Sequence, residues 1–419
     1  MGFIKIILAS LLLSFNFQSF SIPIKCTIKG EIIDRDSRIL LLYKPTDNLH
    51  AENSKIRVKI INNHFEYTFT AAQEEMYQLI FEDELEKGSW TAIHFFPAAG
   101  TVTFVLHPMN DWLKNKVHGG KLNEEYYTFL QNYWGLFLPQ FNILNEERDK
   151  LQKKNEYYTV GWEKLREELK AAKDMEAKQA VRETMEKSRN IGTDLTEKGM
   201  AHKNRVDSVL SDQVEWRYNY IREHISLPSY FLLLMDLSQG KTNRHIANNI
   251  TELYPRFAAA FRDHVYTPRI ADELTGLMRI RPGERYIDIN IPDLKGQIHA
   301  LSKNMEGKIT LVDFWGSWCG PCIVKTRKMA PLYKTYKDKG FTIVGIAREY
   351  KNTREVEKRL ALEKWEWQQL IEMDDKNGVW NKYGISNGTG MLVLIDKEGK
   401  ILAVDPTPEE VESYLKRLL

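Results

Sequence analysis

The hydrophobic and polar positions of the chain change pattern twice after the first 21 residues. From 22 to 112, short runs of β-branched and aromatic residues are separated by turn-forming residues. In one run Phe65, Tyr67 and Phe69 alternate with polar residues, which is the period of a half-buried strand. The runs lie at 27–33, 38–43, 55–60, 64–70, 76–81, 91–96 and 101–106. We predict that this region folds as a small β-sandwich.

From 113 to 283 the pattern becomes helical. The segments 146–158, 163–173 and 178–190 are rich in strong helix formers, and Glu recurs three or four residues from Lys or Arg. Such spacing is typical of the solvated faces of long helices. A coiled-coil partner is the alternative, but no strict heptad pattern persists for four turns. The most apolar segment, 218–237, is expected to pack inside the helical region.

From 284 to 419, strand-like and helical segments alternate, which predicts an α/β sheet covered by helices. The strand-like segments are 310–315, 341–347, 367–371, 391–396 and 400–405, and the helical ones are 320–338, 353–364, 376–383 and 407–418. The predicted architecture is therefore multidomain, with an N-terminal β-sandwich, a central α-helical region and a C-terminal α/β domain.

Residues 1–21 have the pattern of a secretory signal peptide. Lys5 precedes the apolar run Ile6–Leu13, and Ser19 and Ser21 stand at −3 and −1 of a cleavage site before Ile22. We therefore expect an exported, periplasmic protein of the cell envelope, with an uncleaved membrane anchor as the alternative. Cys26 follows Lys25 where a lipoprotein signal needs a small residue, which argues against lipid anchoring.

The amino-acid composition excludes several classes of protein. The 59 Lys and Arg residues nearly balance the 57 Asp and Glu residues, so the net charge is only +2 and no nucleic-acid partner is indicated. Three cysteines are too few for a disulfide-stapled scaffold. A hydrophobic fraction of 43% with 28% charged residues is typical of a globular protein.

The candidate chemistry lies in the motif Trp318–Cys322, between a predicted strand and a predicted helix. That position places Cys319 at a helix N-terminus, where unpaired amides and the helix dipole favour a thiolate nucleophile. The intervening Gly320 and Pro321 allow the two sulfurs to meet in a disulfide, and proline is well suited to a first helical turn. A zinc site needs two more ligands, and haem attachment needs His where Ile323 stands. The pattern favours a redox dithiol over a metal site, and we predict neither a metal nor a cofactor.

These residues resemble a known family. The segment 311–322, LVDFWGSWCGPC, resembles the active-site strand and loop of thioredoxins. The segment 286–308 resembles the TlpA/ResA branch of exported thioredoxin-like proteins, with Leu301, Gly307 and Lys308 echoing its lead into the active-site strand, and 391–403 is similar to the central hairpin of that branch. The segment 95–106 more loosely resembles the β-rich domain of unknown function that precedes such modules in Bacteroidetes.

The resemblance implies a thioredoxin-like fold for 284–419 and a role for each matching residue. Cys319 is expected to be the attacking thiolate and Cys322 the resolving thiol, the two forming the redox-active disulfide. Asp313 matches the buried acid that moves a proton to or from the second cysteine. Trp318 matches a residue of the apolar surface on which members of the family bind their client proteins. Glu349 is a looser match to an acid behind the motif in the ResA branch.

The sequence departs from the family where a cis-proline normally faces the two cysteines. Gly390 takes that place, after Thr389, and we expect these two residues to contact the substrate backbone. Since a non-proline cis bond costs about 2.5–4 kcal/mol, a trans or glycine-adapted loop is expected here. Such a loop should exclude metal ions from the two thiols less well than the cis-proline loop of the family does. On this interpretation the substitution Gly390→Pro should be accommodated.

The predicted function is that of an exported thiol-disulfide oxidoreductase that reduces or exchanges client disulfides. Its partners would be disulfide-bearing client proteins and, if it is a reductant, a membrane electron donor. Two alternatives remain at this point. One is a redox-inactive binding or scaffold protein with a drifted thioredoxin module, and the other is a thiol-based metal carrier.

Overall fold

The computed structural model describes residues 23–47, 54–240, 243–305, 308–385 and 389–419. The predicted signal peptide, 1–21, and Gly307 lie outside the described residues. The chain divides into two compact units, the first within Met1–Leu41 and Arg57–Asn123 and the second within Leu42–Ile56 and Glu124–Leu419. The predicted boundary between 283 and 284 therefore falls inside the second unit.

The N-terminal region is built from two four-stranded sheets. Its strands are β1 (Ile24–Ile32), β2 (Ile39–Tyr43), β3 (Ile56–Lys59), β4 (His64–Ala71), β5 (Tyr77–Phe81), β6 (Ile93–Phe95), β7 (Gly100–Leu106) and β8 (Lys116–His118), with a short helix α1 (Glu82–Glu86) after β5. The strand orders are β4-β1-β7-β8 and β3-β2-β5-β6. Strand β1 is antiparallel to β4 and parallel to β7.

Aromatic rings join the two sheets. Phe69 of β4 lies 5.0 Å from Tyr77 of β5, and Phe104 of β7 meets Phe95 of β6 edge to face at 5.3 Å between ring centroids. These pairs bury the inward faces that the alternating pattern marked. The predicted β-sandwich is confirmed, and β8 is a strand that the sequence pattern did not indicate.

The central region is a series of helices: α2 (Lys121–Lys153), α3 (Val160–Ala171), α4 (Met175–Asn190), α5 (Glu197–Glu223), α6 (Leu227–Gly240), α7 (Arg244–Ala260) and α8 (Tyr266–Arg279). Side-chain caps fix several starts, because a cap satisfies an amide that has no partner within its helix. Thr159, Asp174 and Thr196 accept from amides at the starts of α3, α4 and α5. Within the described residues, none of the helices combines the length and apolarity needed to cross a membrane.

The C-terminal region is a mixed α/β sheet. Its elements are β9 (Asn290–Pro292), β10 (Ile298–Ala300), α9 (Leu301–Met305), β11 (Ile309–Trp315), α10 (Gly320–Tyr336), β12 (Phe341–Glu349), α11 (Arg354–Glu363), β13 (Gln368–Met373), α12 (Val379–Lys382), β14 (Met391–Ile395), β15 (Ile401–Val404) and α13 (Pro408–Leu418). Five strands lie in the order β13-β12-β11-β14-β15, and β9 pairs with β10 as a separate hairpin. Strand β11 is parallel to β12 and antiparallel to β14, which confirms the predicted α/β fold.

The central strand β11 is buried along its whole length, and its side chains alternate between two cores. Val312 and Phe314 belong to the core that contains α12. Leu311 belongs to the opposite core, with Met329 of α10. Asp313 has the parity of Leu311, so its carboxyl group lies under α10.

Helix α8 joins the helical region to the α/β region at a close backbone contact. A Cβ atom placed on Gly276 would lie 2.4 Å from the amide nitrogen of Gly384 and 2.6 Å from the carbonyl oxygen of Lys382. Only glycine fits such an approach without displacing backbone.

We predict that Gly276→Ala lowers the free energy of unfolding by about 1–3 kcal/mol, the usual cost of overpacking. Gly135→Ala is the matched control, since Gly135 lies inside α2 with open space around it and alanine there should stabilise by about 0.5–1 kcal/mol. Urea denaturation of both variants measures the two effects. Equal stability of the two variants would contradict the close contact.

Candidate active site

Cys319 and Cys322 lie where the chain turns from β11 into α10. The amide of Cys319 donates to the carbonyl oxygen of Gly316 at 3.0 Å, and Ile323 donates to the carbonyl oxygen of Cys319 at 3.1 Å. Cys319 is the residue before the first helical position, and Pro321 occupies the first turn, where its missing N–H is not needed. The two sulfurs are joined as a disulfide in the structure. Cys319 is therefore the N-cap residue of a 17-residue helix, whose dipole favours a negative charge at that end.

A cavity of about 230 Å³ lies against the disulfide. Cys319 is 5% exposed and Cys322 is 8% exposed. The cavity is lined by Asp313, Phe314, Trp318, Cys319, Gly320, Pro321, Cys322, Lys325, Thr389, Gly390, Met391 and Leu392. The structure thus brings together the two cysteines and four further residues that the sequence singled out: Asp313, Trp318, Thr389 and Gly390. The cavity offers a partner sulfur a way to the two cysteines.

Asp313 is a buried acid at the base of the site, 2% exposed. Burial raises the pKa of its carboxyl group to about 7, against the opposing effects of the Thr326 hydroxyl and the Lys325 ammonium, while the charge of Asp405 raises it further. A carboxyl group with that pKa changes protonation near neutral pH. It has the property that a proton acceptor for a thiol requires.

Thr326 connects this acid to the motif. Its hydroxyl oxygen lies 2.7 Å from Asp313 Oδ2 and 3.0 Å from the carbonyl oxygen of Cys322. A hydroxyl group has one proton, so it donates to only one of these acceptors at a time. When Asp313 is protonated, its own proton can be donated to Thr326, which leaves the hydroxyl proton for the Cys322 carbonyl. The protonation of Asp313 is thereby coupled to the first turn of α10.

Thr326 and Lys325 are site residues that the sequence patterns did not single out. Both follow Cys322 by a helical spacing, four and three residues on, and that spacing places them on the same side of α10 as Cys322. The spacing of three and four residues from Cys322 is the sequence signal that indicates Lys325 and Thr326. Lys325 also pairs with Asp405 at 3.1 Å.

Glu349 lies at the end of β12 and holds the loop that precedes the cysteines. Its carboxylate accepts from the amide of Ser317 at 2.7 Å and from the Ser317 hydroxyl at 2.8 Å, and burial raises its pKa. The neighbouring carbonyl of Arg348 accepts from Trp318 Nε1 at 3.0 Å. Glu349 therefore contacts the motif through Ser317, and consecutive residues of β12 position the loop.

Gly390 faces Cys322 with no room for a side chain. A Cβ atom there would lie 1.9 Å from the carbonyl oxygen of Phe314 and 2.9 Å from Cys322 Sγ. The adjacent carbonyl of Thr389 accepts from Trp380 Nε1 at 2.9 Å, which anchors the segment. The expectation that proline is accommodated at 390 is wrong, because its Cβ would overlap the end of β11.

The third cysteine, Cys26, lies in β1 and is fully buried, and burial raises the pKa of its thiol. Within the part of the chain that the structure describes, no group of three or more His, Cys, Asp and Glu side chains is arranged to hold a metal ion.

Comparison with known proteins gives matches at both ends of the chain. The model of the AhpC/TSA family matches residues 282–404, and that of a domain of unknown function, DUF4369, matches residues 26–126. The thiol-disulfide oxidoreductase ResA of Geobacillus kaustophilus is 30% identical over 138 residues, which cover 31% of this chain and 74% of that protein. The ResA protein of Bacillus thuringiensis subsp. konkukian is 28% identical over 131 residues, covering 30% and 73%.

A solved structure is also similar to the C-terminal region. The thioredoxin domain of a thiol-disulfide oxidoreductase from Bacteroides vulgatus has 31% sequence identity, covers 32% of this chain and 96% of that one, and gives a TM-score of 0.30. The family matches confirm the resemblance stated for 284–419 and the one stated for the β-rich region.

We predict that Gly390→Ala lowers the free energy of unfolding by about 1–3 kcal/mol, because the new methyl group overlaps Phe314 and Cys322. Gly390→Pro should be at least as damaging. Gly161→Ala is the control, since Gly161 lies in α3 with nothing within 4 Å of its added Cβ. Urea denaturation of the oxidised proteins measures the effect, and a Gly390→Pro variant as stable as the wild type would show that Gly390 does not face the disulfide.

Proposed function

The chain belongs to the thioredoxin-like ResA family of thiol-disulfide oxidoreductases, and we propose that it reduces or exchanges disulfides of client proteins through Cys319 and Cys322. The observation that carries this proposal is the cysteine pair at the start of α10, reached through a cavity whose base is an acid with a pKa of about 7. The family match supports the same kind of reaction.

The proposed reaction is a two-step exchange. The thiolate of Cys319 attacks one sulfur of the client disulfide, which forms a mixed disulfide and releases the other client sulfur as a thiolate that takes up a proton. The thiol of Cys322 then loses its proton and attacks Cys319 Sγ. This step forms the Cys319–Cys322 disulfide and releases the second client thiol. Two electrons pass from the protein to the client, and a dithiol donor is needed to restore the reduced state.

Each residue of the cavity has a proposed role in this exchange. Asp313 accepts the proton of Cys322, and Thr326 orients the Asp313 carboxylate by its hydrogen bond. Trp318, Thr389 and Gly390 contact the client at the mouth of the cavity. Glu349 positions the loop through Ser317. Cys26 has no role in the exchange.

The site of action is proposed from residues 1–21, whose pattern is that of a secretory signal. An exported reductant cannot use the cytosolic thiol pool directly, so its dithiol donor would be a membrane protein. The clients would be disulfide-bearing proteins of the cell envelope.

We predict that Cys319→Ser abolishes reduction of a protein disulfide, because the attacking sulfur is lost. Cys322→Ser should instead accumulate the mixed disulfide on Cys319, since nothing resolves it. Cys26→Ser is the control and should retain the wild-type rate. Gel-shift alkylation and mass spectrometry of the reaction mixtures distinguish the three variants. The absence of any reversible two-electron couple in the wild type would favour a redox-inactive binding protein.

We predict a second effect from Asp313, tested by Asp313→Asn. In the disulfide form the pKa of Asp313 is about 7 in the folded protein, against 3.8 for an ordinary aspartate, the value expected in the unfolded chain. Between these two pH values the folded protein therefore binds more protons than the unfolded chain. Its stability therefore falls as pH rises from about 4 to 7, by at most about 4 kcal/mol at 1.4 kcal/mol per pKa unit. The Asn variant lacks this loss and should be the more stable protein at pH 8.

The measurement is urea denaturation of the oxidised wild type and variant at pH 5 and pH 8. The same variant should also slow the resolution of the mixed disulfide above pH 7, where the wild-type carboxylate is ionised. A difference in stability that stays constant with pH would contradict the raised pKa.

A further inference from the structure

Helix α4 of the helical region lies against α10, the helix that begins with the cysteine motif. Lys328 of α10 places its ammonium nitrogen 2.9 and 3.0 Å from the two carboxylate oxygens of Glu183 of α4. The two side chains are 35% and 41% exposed, so the pair marks where the two helices meet more than it stabilises that contact. The helical region therefore reaches the side of the dithiol site.

The first residue of α4, Met175, lies beside the motif. Its methyl carbon Cε lies 3.4 Å from the position of a Cβ atom on Gly320, the residue that follows Cys319. Met175 is nevertheless 42% exposed. The start of α4 is fixed, because Asp174 accepts from the amide of Ala177 at 2.8 Å. An apolar, partly solvated side chain is thus held next to the cysteine that is proposed to attack the client.

The geometry of a mixed disulfide brings the client to the same place. Two disulfide-linked cysteines have Cα atoms about 4.4–6.8 Å apart. The residues next to a client cysteine on Cys319 therefore lie within a few ångströms of the Cys319–Gly320 backbone. Met175 borders that space from one side. Methionine adapts to varied apolar neighbours, since it is unbranched and has three rotatable bonds.

On the basis of the proposed function, we propose that Met175 is a specificity-determining residue that packs against an apolar side chain next to the client cysteine in the mixed disulfide. The helical region then supplies part of the client-binding surface, and the partner it selects is a polypeptide whose cysteine is flanked by apolar residues. A small disulfide with no flanking residues gains nothing from Met175.

The test uses the full chain, reduced beforehand, in single-turnover oxidation by three probes. Two are peptides with a disulfide-bonded cysteine flanked by Leu or by Glu, and the third is bis(2-hydroxyethyl) disulfide. We expect Met175→Lys to slow oxidation by the Leu peptide about tenfold and to speed oxidation by the Glu peptide, because it replaces apolar contact by a positive charge. Oxidation by the small disulfide should change less than twofold. Met175→Leu should keep the wild-type order of rates.

Met278→Lys is the matched control, because Met278 lies on α8 and is 42% exposed like Met175. It should leave all three rates unchanged. If Met175→Lys slows every probe equally, or alters neither peptide, Met175 does not select the client. If the reduced wild type reacts with no disulfide at all, the proposed function fails and this inference fails with it. The small disulfide separates these two results.

A second measurement needs no change at Met175. The mixed disulfide of the Leu peptide, trapped on Cys322→Ser, should protect Met175 from oxidation to the sulfoxide by dilute peroxide, relative to Met278. Mass spectrometry reports the two rates in the same sample. Equal oxidation of Met175 with and without the trapped peptide would overturn the proposed contact.

Discussion

The close approach of Gly390 to the end of β11 is the constraint on which the dithiol site depends. Because the backbone of Gly390 lies against the Phe314 carbonyl, strand β14 can begin at Met391 in antiparallel register with Phe314. The same approach brings Gly390 to Cys322 Sγ and closes one side of the cavity. A side chain at 390 would push β14 away from β11 and open the site to solvent.

The exclusion of solvent from the site in turn raises the pKa of Asp313. The acid lies in the middle of a strand whose seven residues are all buried, and no cation forms an ion pair with it among the contacts of the described residues. The ionised carboxylate is stabilised by the hydrogen bond from Thr326, whose single proton has a competing acceptor in the Cys322 carbonyl, and by the charge of Lys325. The pKa of about 7 is thus set chiefly by burial between β11 and α10, with smaller and opposing effects from the charges of Lys325 and Asp405.

The sequence predicted the three-part architecture, most strands of the N-terminal sandwich, the five strands of the C-terminal mixed sheet and the cysteine motif, because each depends on short-range patterns. The alternation around Phe65 and the placement of Cys319 before a helix are of this kind. What it missed depends on contacts distant in sequence. Met175 and Gly320 are separated by 145 positions, and no local pattern connects them. The error at Gly390 has the same origin, since the carbonyl that excludes proline belongs to Phe314, on another strand.

The loop before the cysteines takes its position from two consecutive residues of β12, which has a consequence for how this sequence can vary. Side chains alternate along a strand, so Glu349 turns towards Ser317 while the buried guanidinium of Arg348 turns the other way and pairs with Asp375 at 2.6 Å. A deletion of one residue within β12 would exchange these two side chains and place a positive charge beneath the loop. Insertions and deletions should therefore be tolerated after Glu349, where the strand ends, and be absent within it.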